Sequence, residues 1–196
     1  MANDCYNHAS FTPNGSLENL ELFRSAISKY HGKCIGSTEF FEILGSETPE
    51  SFNAYDEFGS RWFELDVDDM GDLIVLSGSS AWSPVSEFFR KLCVKFNLNV
   101  ESTFEEPGSD FGGYYDVTNG EVVRDETYTY NQYQYLEDMF FESLHPDYFT
   151  EFESFSEVLD QYSDVIRITD PVEERELVEF LKEMYDKSRQ NASENS

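Results

Sequence analysis

The first 105 residues alternate between strand-like and helical spacing of their apolar side chains, and the order of that alternation leaves few folds open. Cys5 to Thr12 suits an extended strand and is stopped by the turn signal Pro13-Asn14-Gly15. Ser16 stands where a helix N-cap belongs. Leu17, Leu20, Phe23, Ile27 and Tyr30 follow at helical spacing, and Gly32 comes just past the end. Lys33 to Ser60 holds a short element around Phe40–Leu44, then a loop rich in Ser, Thr, Pro and Asn. Arg61–Val67 and Asp72–Ser79 read as strands joined by the turn Asp68-Asp69-Met70-Gly71. Ser83 reads as an N-cap with Pro84 at the first helical position, and Phe88, Phe89, Leu92 and Phe96 continue that helix. Asn99–Glu105 is strand-like again.

Read in order this is β-α-β-β-α-β, the split unit of ferredoxin-like folds. Beyond it, Tyr114–Thr118 and Glu121–Tyr130 flank Asn119-Gly120, a strong hairpin signal. Gln134–Leu144 and Tyr148–Tyr162 are acidic helix candidates. A last helix begins at Asp170, with Pro171 next and Glu173 three residues on, a capping-box-like arrangement. Its apolar face would be Leu177, Phe180, Leu181 and Met184. The expected class is therefore α+β: a ferredoxin-like core with an added hairpin over 1–130, an acidic helical region over 131–187, and a disordered polar tail over 188–196.

Charge narrows the function more than the fold. The chain carries 13 basic and 40 acidic side chains, a formal net charge of -27. High charge with low hydrophobicity would mean disorder, but a hydrophobic fraction of 39% with 18 Phe and 12 Tyr supplies a core. Between Asp125 and Ile166 there is no Lys or Arg, only eleven carboxylates interleaved with aromatics. Most soluble surfaces intersperse both signs. Self-repulsion of this size opposes a compact state, which points to a use at a partner's surface. Anionic membranes and nucleic acid are poor direct partners; a basic protein surface is the complement. No stretch approaches the ~20 apolar residues of a membrane span. MANDCYNHAS lacks the basic and apolar segments of a secretory signal. Three cysteines, Cys5, Cys34 and Cys93, fit a reduced, cytoplasmic setting.

Three segments carry a family likeness. Ala2-Asn3-Asp4-Cys5-Tyr6-Asn7 resembles the Asn-Trp-Cys-x-Asn opening of Api92-like proteins from plasmids and phages, with Asp4 where the family has Trp. Ala81-Trp82-Ser83-Pro84 is similar to their Trp-Ser-Pro helix start. Glu106-Pro107-Gly108-Ser109-Asp110-Phe111-Gly112-Gly113 resembles their Glu-Pro-Gly-x-Asp-Phe-x-Gly segment, with Asn119-Gly120 following. The resemblance covers about the first 130 residues. It implies a mobile-element origin and a ferredoxin-like fold, with no established chemistry, and leaves the acidic region after Tyr130 outside.

Several constellations compete for the function. Duplex DNA has one charge per ~1.7 Å of axis, so a charge of this size corresponds to roughly 46 Å of duplex. A compact chain of this length has a diameter near ~42 Å by its expected radius of gyration. The leading expectation is a non-enzymatic inhibitor that mimics nucleic-acid charge and occupies the basic site of a host defence protein, an anti-CRISPR or anti-restriction role in the host cytoplasm. Its contact set would be Asp125, Glu126, Glu137, Asp138, Glu142, Asp147, Glu151, Glu153, Glu157, Asp160 and Asp164. Tyr130, Tyr133, Tyr135, Phe140, Phe141 and Tyr148 would be the aromatic anchors. No cofactor is expected on this reading.

The alternatives are a zinc- or small-ligand-binding accessory domain and an acidic viral assembly or scaffold protein. Cys5, His8, His31 and Cys34 make a zinc-like set of two sulfurs and two imidazoles. Cys5 and His8, three apart on a strand, would point to opposite faces unless the strand ends early. Asp66, Asp68, Asp69 and Asp72 around Gly71 imitate a calcium loop, but Met70 and Ser77 stand at ligand positions, so a hairpin turn is the better reading. Glu105, Glu106 and Asp110 border a Gly-rich turn and could serve as acid and base if their environments split their pKa values. Asp110-Phe111-Gly112 lacks every other kinase signature, and three histidines give little material for nucleophilic catalysis.

Overall fold

A computed structural model describes residues 4–47, 51–169 and 171–194, and it divides into two compact units, Met1–Thr127 and Tyr128–Ser196. The first unit runs β1 (Asp4–Pro13), α1 (Leu17–Ile27), β2 (Ile35–Gly36), α2 (Ser37–Leu44), α3 (Ala54–Phe58), β3 (Phe63–Asp69), β4 (Ile74–Ala81), α4 (Ser86–Phe96), β5 (Leu98–Glu106), β6 (Phe111–Thr118) and β7 (Glu121–Tyr128). The strands form one sheet in the order β2-β3-β4-β1-β5-β6-β7. Its middle, β3-β4-β1-β5, is antiparallel throughout and has the ferredoxin-like order expected from the sequence.

The period of two places the core. On β1, Cys5, Asn7, Ala9 and Phe11 are buried, while Tyr6, His8 and Thr12 are exposed on the other face. The buried face meets α1 and α4 through phenylalanines. Phe63 stacks on Phe88 at 4.9 Å, and Phe11 lies 5.4 Å from Phe23 and 5.7 Å from Phe89. Each such ring is worth ~1.5–3 kcal/mol for burial alone. This density of Phe is what lets so acidic a chain condense. At the far edge, Asn119 (φ 55°) and Gly120 (φ 78°) both take the left-handed backbone that a two-residue hairpin turn requires.

Local details depart from the sequence reading. Leu17 is 66% exposed, so the apolar face of α1 begins at Leu20. The segment 54–58, read as loop, closes into α3 under Asn53, whose side chain accepts from the Tyr55 N–H. Ser83 does not cap α4: its hydroxyl donates to the Gly59 carbonyl, and the Asn7 side chain accepts from the Val85 N–H instead. A residue 78 positions upstream thus fixes the residue that precedes this helix. The turn Asp68–Gly71 is a hairpin turn, with Asp69 held by Arg24 and by the Gly71 N–H.

The second unit is helical: α5 (Tyr130–Leu136), α6 (Phe140–Ser143), a 3₁₀ turn Pro146–Phe149, α7 (Phe155–Gln161), α8 (Ser163–Ile166) and α9 (Glu173–Glu194). Phe140, Phe149, Val158, Tyr162, Val165, Leu177 and Leu181 form its core. The expected helix Gln134–Leu144 is broken because Asp138 adopts φ 59°, and Tyr148–Tyr162 is helical only from Phe155. The expected start at Asp170 lies outside the described residues. The tail expected to be disordered from Ser188 instead forms the last turns of α9, through Glu194. Ser188 is 1% exposed there and donates to the Tyr185 carbonyl. No helix among the described residues is long and apolar enough to cross a membrane.

Candidate protein-binding surface

The helical unit turns Phe140, Phe149, Val158, Tyr162, Val165, Leu177 and Leu181 inward and leaves most of its carboxylates at the surface. Glu137, Asp138, Glu142, Asp147, Glu151, Glu153, Glu157 and Asp160 are all exposed. Asp125 and Glu126 are exposed too, but they lie on β7 in the first unit. Part of this acidity has a local reason. Glu142, Asp147, Glu157 and Asp164 occupy first turns of helices, where a negative charge meets free N–H groups. Glu157 also accepts from the Glu153 N–H at 2.8 Å. Asp138, Glu151, Glu153 and Asp160 have no such duty.

What sets this region apart is where its cations go. Lys182 and Lys187 pair within α9, with Asp186 and Glu183. Arg189 donates to the Phe152 carbonyl and lies 5.0 Å from the Tyr185 ring, and Arg167 reaches Ser163. Among the described residues, no Lys or Arg forms an ion pair with Asp138, Glu142, Asp147, Glu151, Glu153, Glu157 or Asp160. The partner there is His145, 3.3 Å from Asp147.

Two residues of the expected contact set are structural instead. Asp164 is half-buried: one oxygen accepts from the Thr129 hydroxyl and its backbone carbonyl from Gln132, which ties α8 to the N-terminus of α5. Tyr133 is buried, at 5% exposed. Phe140 is fully buried, and Tyr130 is half-buried. Tyr135 is half-buried between Phe140 and Phe141, and its hydroxyl donates to Glu173. Phe141 and Tyr148 remain exposed, at 41% and 62%.

Leu136 and Met139 join them at the surface, which the sequence reading missed. The break at Asp138 turns them out, and an Asp in that place is the signal, since Asp tolerates the left-handed backbone. Four exposed apolar side chains thus lie within thirteen residues, among Glu137, Asp138, Glu142 and Asp147.

The other candidates are not assembled. Cys5 is buried on the helix-facing side of the sheet, and burial pushes its thiol up to about 12, against thiolate formation. His8 is on the opposite face, and the exposed Cys34 thiol donates to Asp66 at 3.3 Å. Among the described residues no three His, Cys, Asp or Glu side chains gather as a metal site. Glu106 is buried toward the helices while Glu105 lies across the strand from it, so the two do not share a site.

The family model of the "Ferredoxin-like domain in Api92-like protein" matches residues 58–147. The match takes in the Trp82-Ser83-Pro84 and Glu106–Gly113 segments and continues through α5 and α6, farther than the motifs suggested; the opening segment on β1 lies outside it. No curated protein and no solved structure matches the chain.

Proposed function

From a chain that carries the ferredoxin-like domain of Api92-like proteins, we propose an acidic, non-enzymatic inhibitor whose helical unit docks on the basic nucleic-acid site of another protein. The observation that carries this reading is the set of exposed carboxylates Asp138, Glu142, Glu151, Glu153, Glu157 and Asp160, none paired with a Lys or Arg among the described residues, flanked by Leu136, Met139, Phe141 and Tyr148. Carboxylates supply the complementary field and the on-rate, and the apolar side chains supply contact area that salt does not screen. The plasmid and phage setting of the family makes a host defence protein, such as a CRISPR effector or a restriction enzyme, the natural target class, met in the host cytoplasm. Asp125 and Glu126 would belong to a separate contact on β7.

The test is competition. A purified effector or restriction enzyme is bound to labelled duplex DNA, and the protein is titrated in. Displacement that weakens steeply with salt is expected, and reversal of Glu142, Glu151, Glu153 and Asp160 to lysine should remove it. Displacement unchanged by that reversal contradicts the proposal.

A further inference from the structure

The face of the sheet opposite α1 and α4 holds a hollow of about 290 Å³ that the charge argument does not use. Strand register builds it. His8 stands opposite Thr103, Ser10 opposite Glu101, and Thr103 opposite Tyr114, so alternate side chains of β1, β5 and β6 converge on one side. Asp116 and, from β7, Arg124 complete the lining.

Arg124 is the preorganised group. Its guanidinium lies 3.5 Å from the Tyr114 ring centroid, and its Nε donates to Glu126 at 2.7 Å. Both restraints act on its plane and inner edge. Arg124 lines the hollow, and among the described residues neither Nη group carries a hydrogen bond, which leaves the outer fork free for a two-oxygen anion. Asp116 is oriented as well: its Oδ1 accepts from the Ser102 N–H at 3.0 Å, where the β5–β6 ladder is interrupted. Its other oxygen and Glu101 provide negative charge in the same hollow. The Ser10 and Thr103 hydroxyls carry no side-chain hydrogen bond among the described residues.

A held fork of donors facing held carboxylates selects the ligand's charge pattern. A simple anion would be repelled by the field of a chain at -27, and a simple cation would leave the Arg124 fork unsatisfied. A compact zwitterion avoids both costs. We propose that this face binds a free α-amino acid, with its carboxylate on the Arg124 Nη groups and its ammonium against Asp116 and Glu101. The site is independent of the acidic helices, so either reading can fail without the other.

Calorimetric titration of the full chain with glycine, L-serine and L-glutamine tests it, alongside L-serinamide and N-acetyl-L-serine as the cationic and anionic controls. At least one free amino acid should bind saturably at millimolar concentration, with both blocked serines about tenfold weaker than L-serine or worse. Arg124→Gln should abolish binding. Asp116→Asn, which keeps the acceptor for Ser102, should weaken it about tenfold without changing Tm. Saturable binding by none of the three, equal binding of a blocked form, or wild-type affinity in either variant would overturn the proposal.

Discussion

The sheet unit holds 23 carboxylates in 127 residues and the helical unit 17 in 69, but the two put their charges to different use. In the sheet unit, cations stitch separate elements together. Arg24 of α1 holds Asp69 of β3, Lys29 holds Glu42 of α2, and Lys91 of α4 holds Glu57 of α3. In the helical unit the Lys pairs stay inside α9, and Asp138, Glu142, Glu151, Glu153 and Asp160 form no ion pair with a Lys or Arg among the described residues. Acidity in the first unit is part of how it folds. In the second, what is not used at helix N-termini adds repulsion that no Lys or Arg offsets locally, the pattern of a surface kept for a partner.

The largest expected effect separates the two cores. Phe140→Ala empties the centre of the helical unit and should cost about 3–5 kcal/mol. Hydrogen exchange should show α5–α9 losing protection while β1 and β5 keep theirs; joint loss would mean that the units do not stand apart. Next is Gly113→Ala in the sheet unit. A Cβ there would meet the Glu126 carbonyl at 2.0 Å, so β7 must move, at about 1–3 kcal/mol. A variant as stable as wild type, by thermal melt, would show that this edge is looser than the geometry states.

Smaller again is Thr129→Ala, which removes the α5 cap and the hydroxyl on Asp164 and should cost about 1 kcal/mol. Thr129→Ser should restore the melting temperature. The smallest effect tests the charge comparison by pH. The hydrogen bond from Arg24, then that from the Gly71 N–H, hold the Asp69 carboxyl below its usual range. A lowered folded value means stability that is present above the unfolded value of about 3.9 and lost as pH falls through the folded one. Asp69→Asn should therefore lower Tm at neutral pH, with the gap closing in acid. A gap that stays constant down to pH ~2 would remove the ion pair from the account.

The core of this fold was legible because strand alternation and helical spacing are local signals. The ferredoxin-like order follows from six such segments read in sequence. Contacts set at long range were hidden. Asn7 holds the Val85 N–H at the entrance of α4 from within a strand, and nothing near Ser83 announces that its hydroxyl is engaged with Gly59. The same limit governs the candidate surface. Net charge told which residue types would face water, yet Asp164 and Tyr133 read like their neighbours and turned out to be ties and packing. Only the Thr129 hydroxyl, 35 residues away, separates Asp164 from the rest.

The most direct test of the central claim matches two charge reversals of equal size. One variant carries Glu142, Glu151, Glu153 and Asp160 as lysine; the other carries Glu64, Asp68, Asp72 and Glu121, exposed carboxylates of the sheet unit. Displacement of DNA from a basic target is measured for both across a range of salt. If the helical unit is the docking surface, the first variant loses displacement and the second keeps it to within about threefold, or under 1 kcal/mol. Equal loss in both would show that net charge alone is responsible and that no particular surface docks.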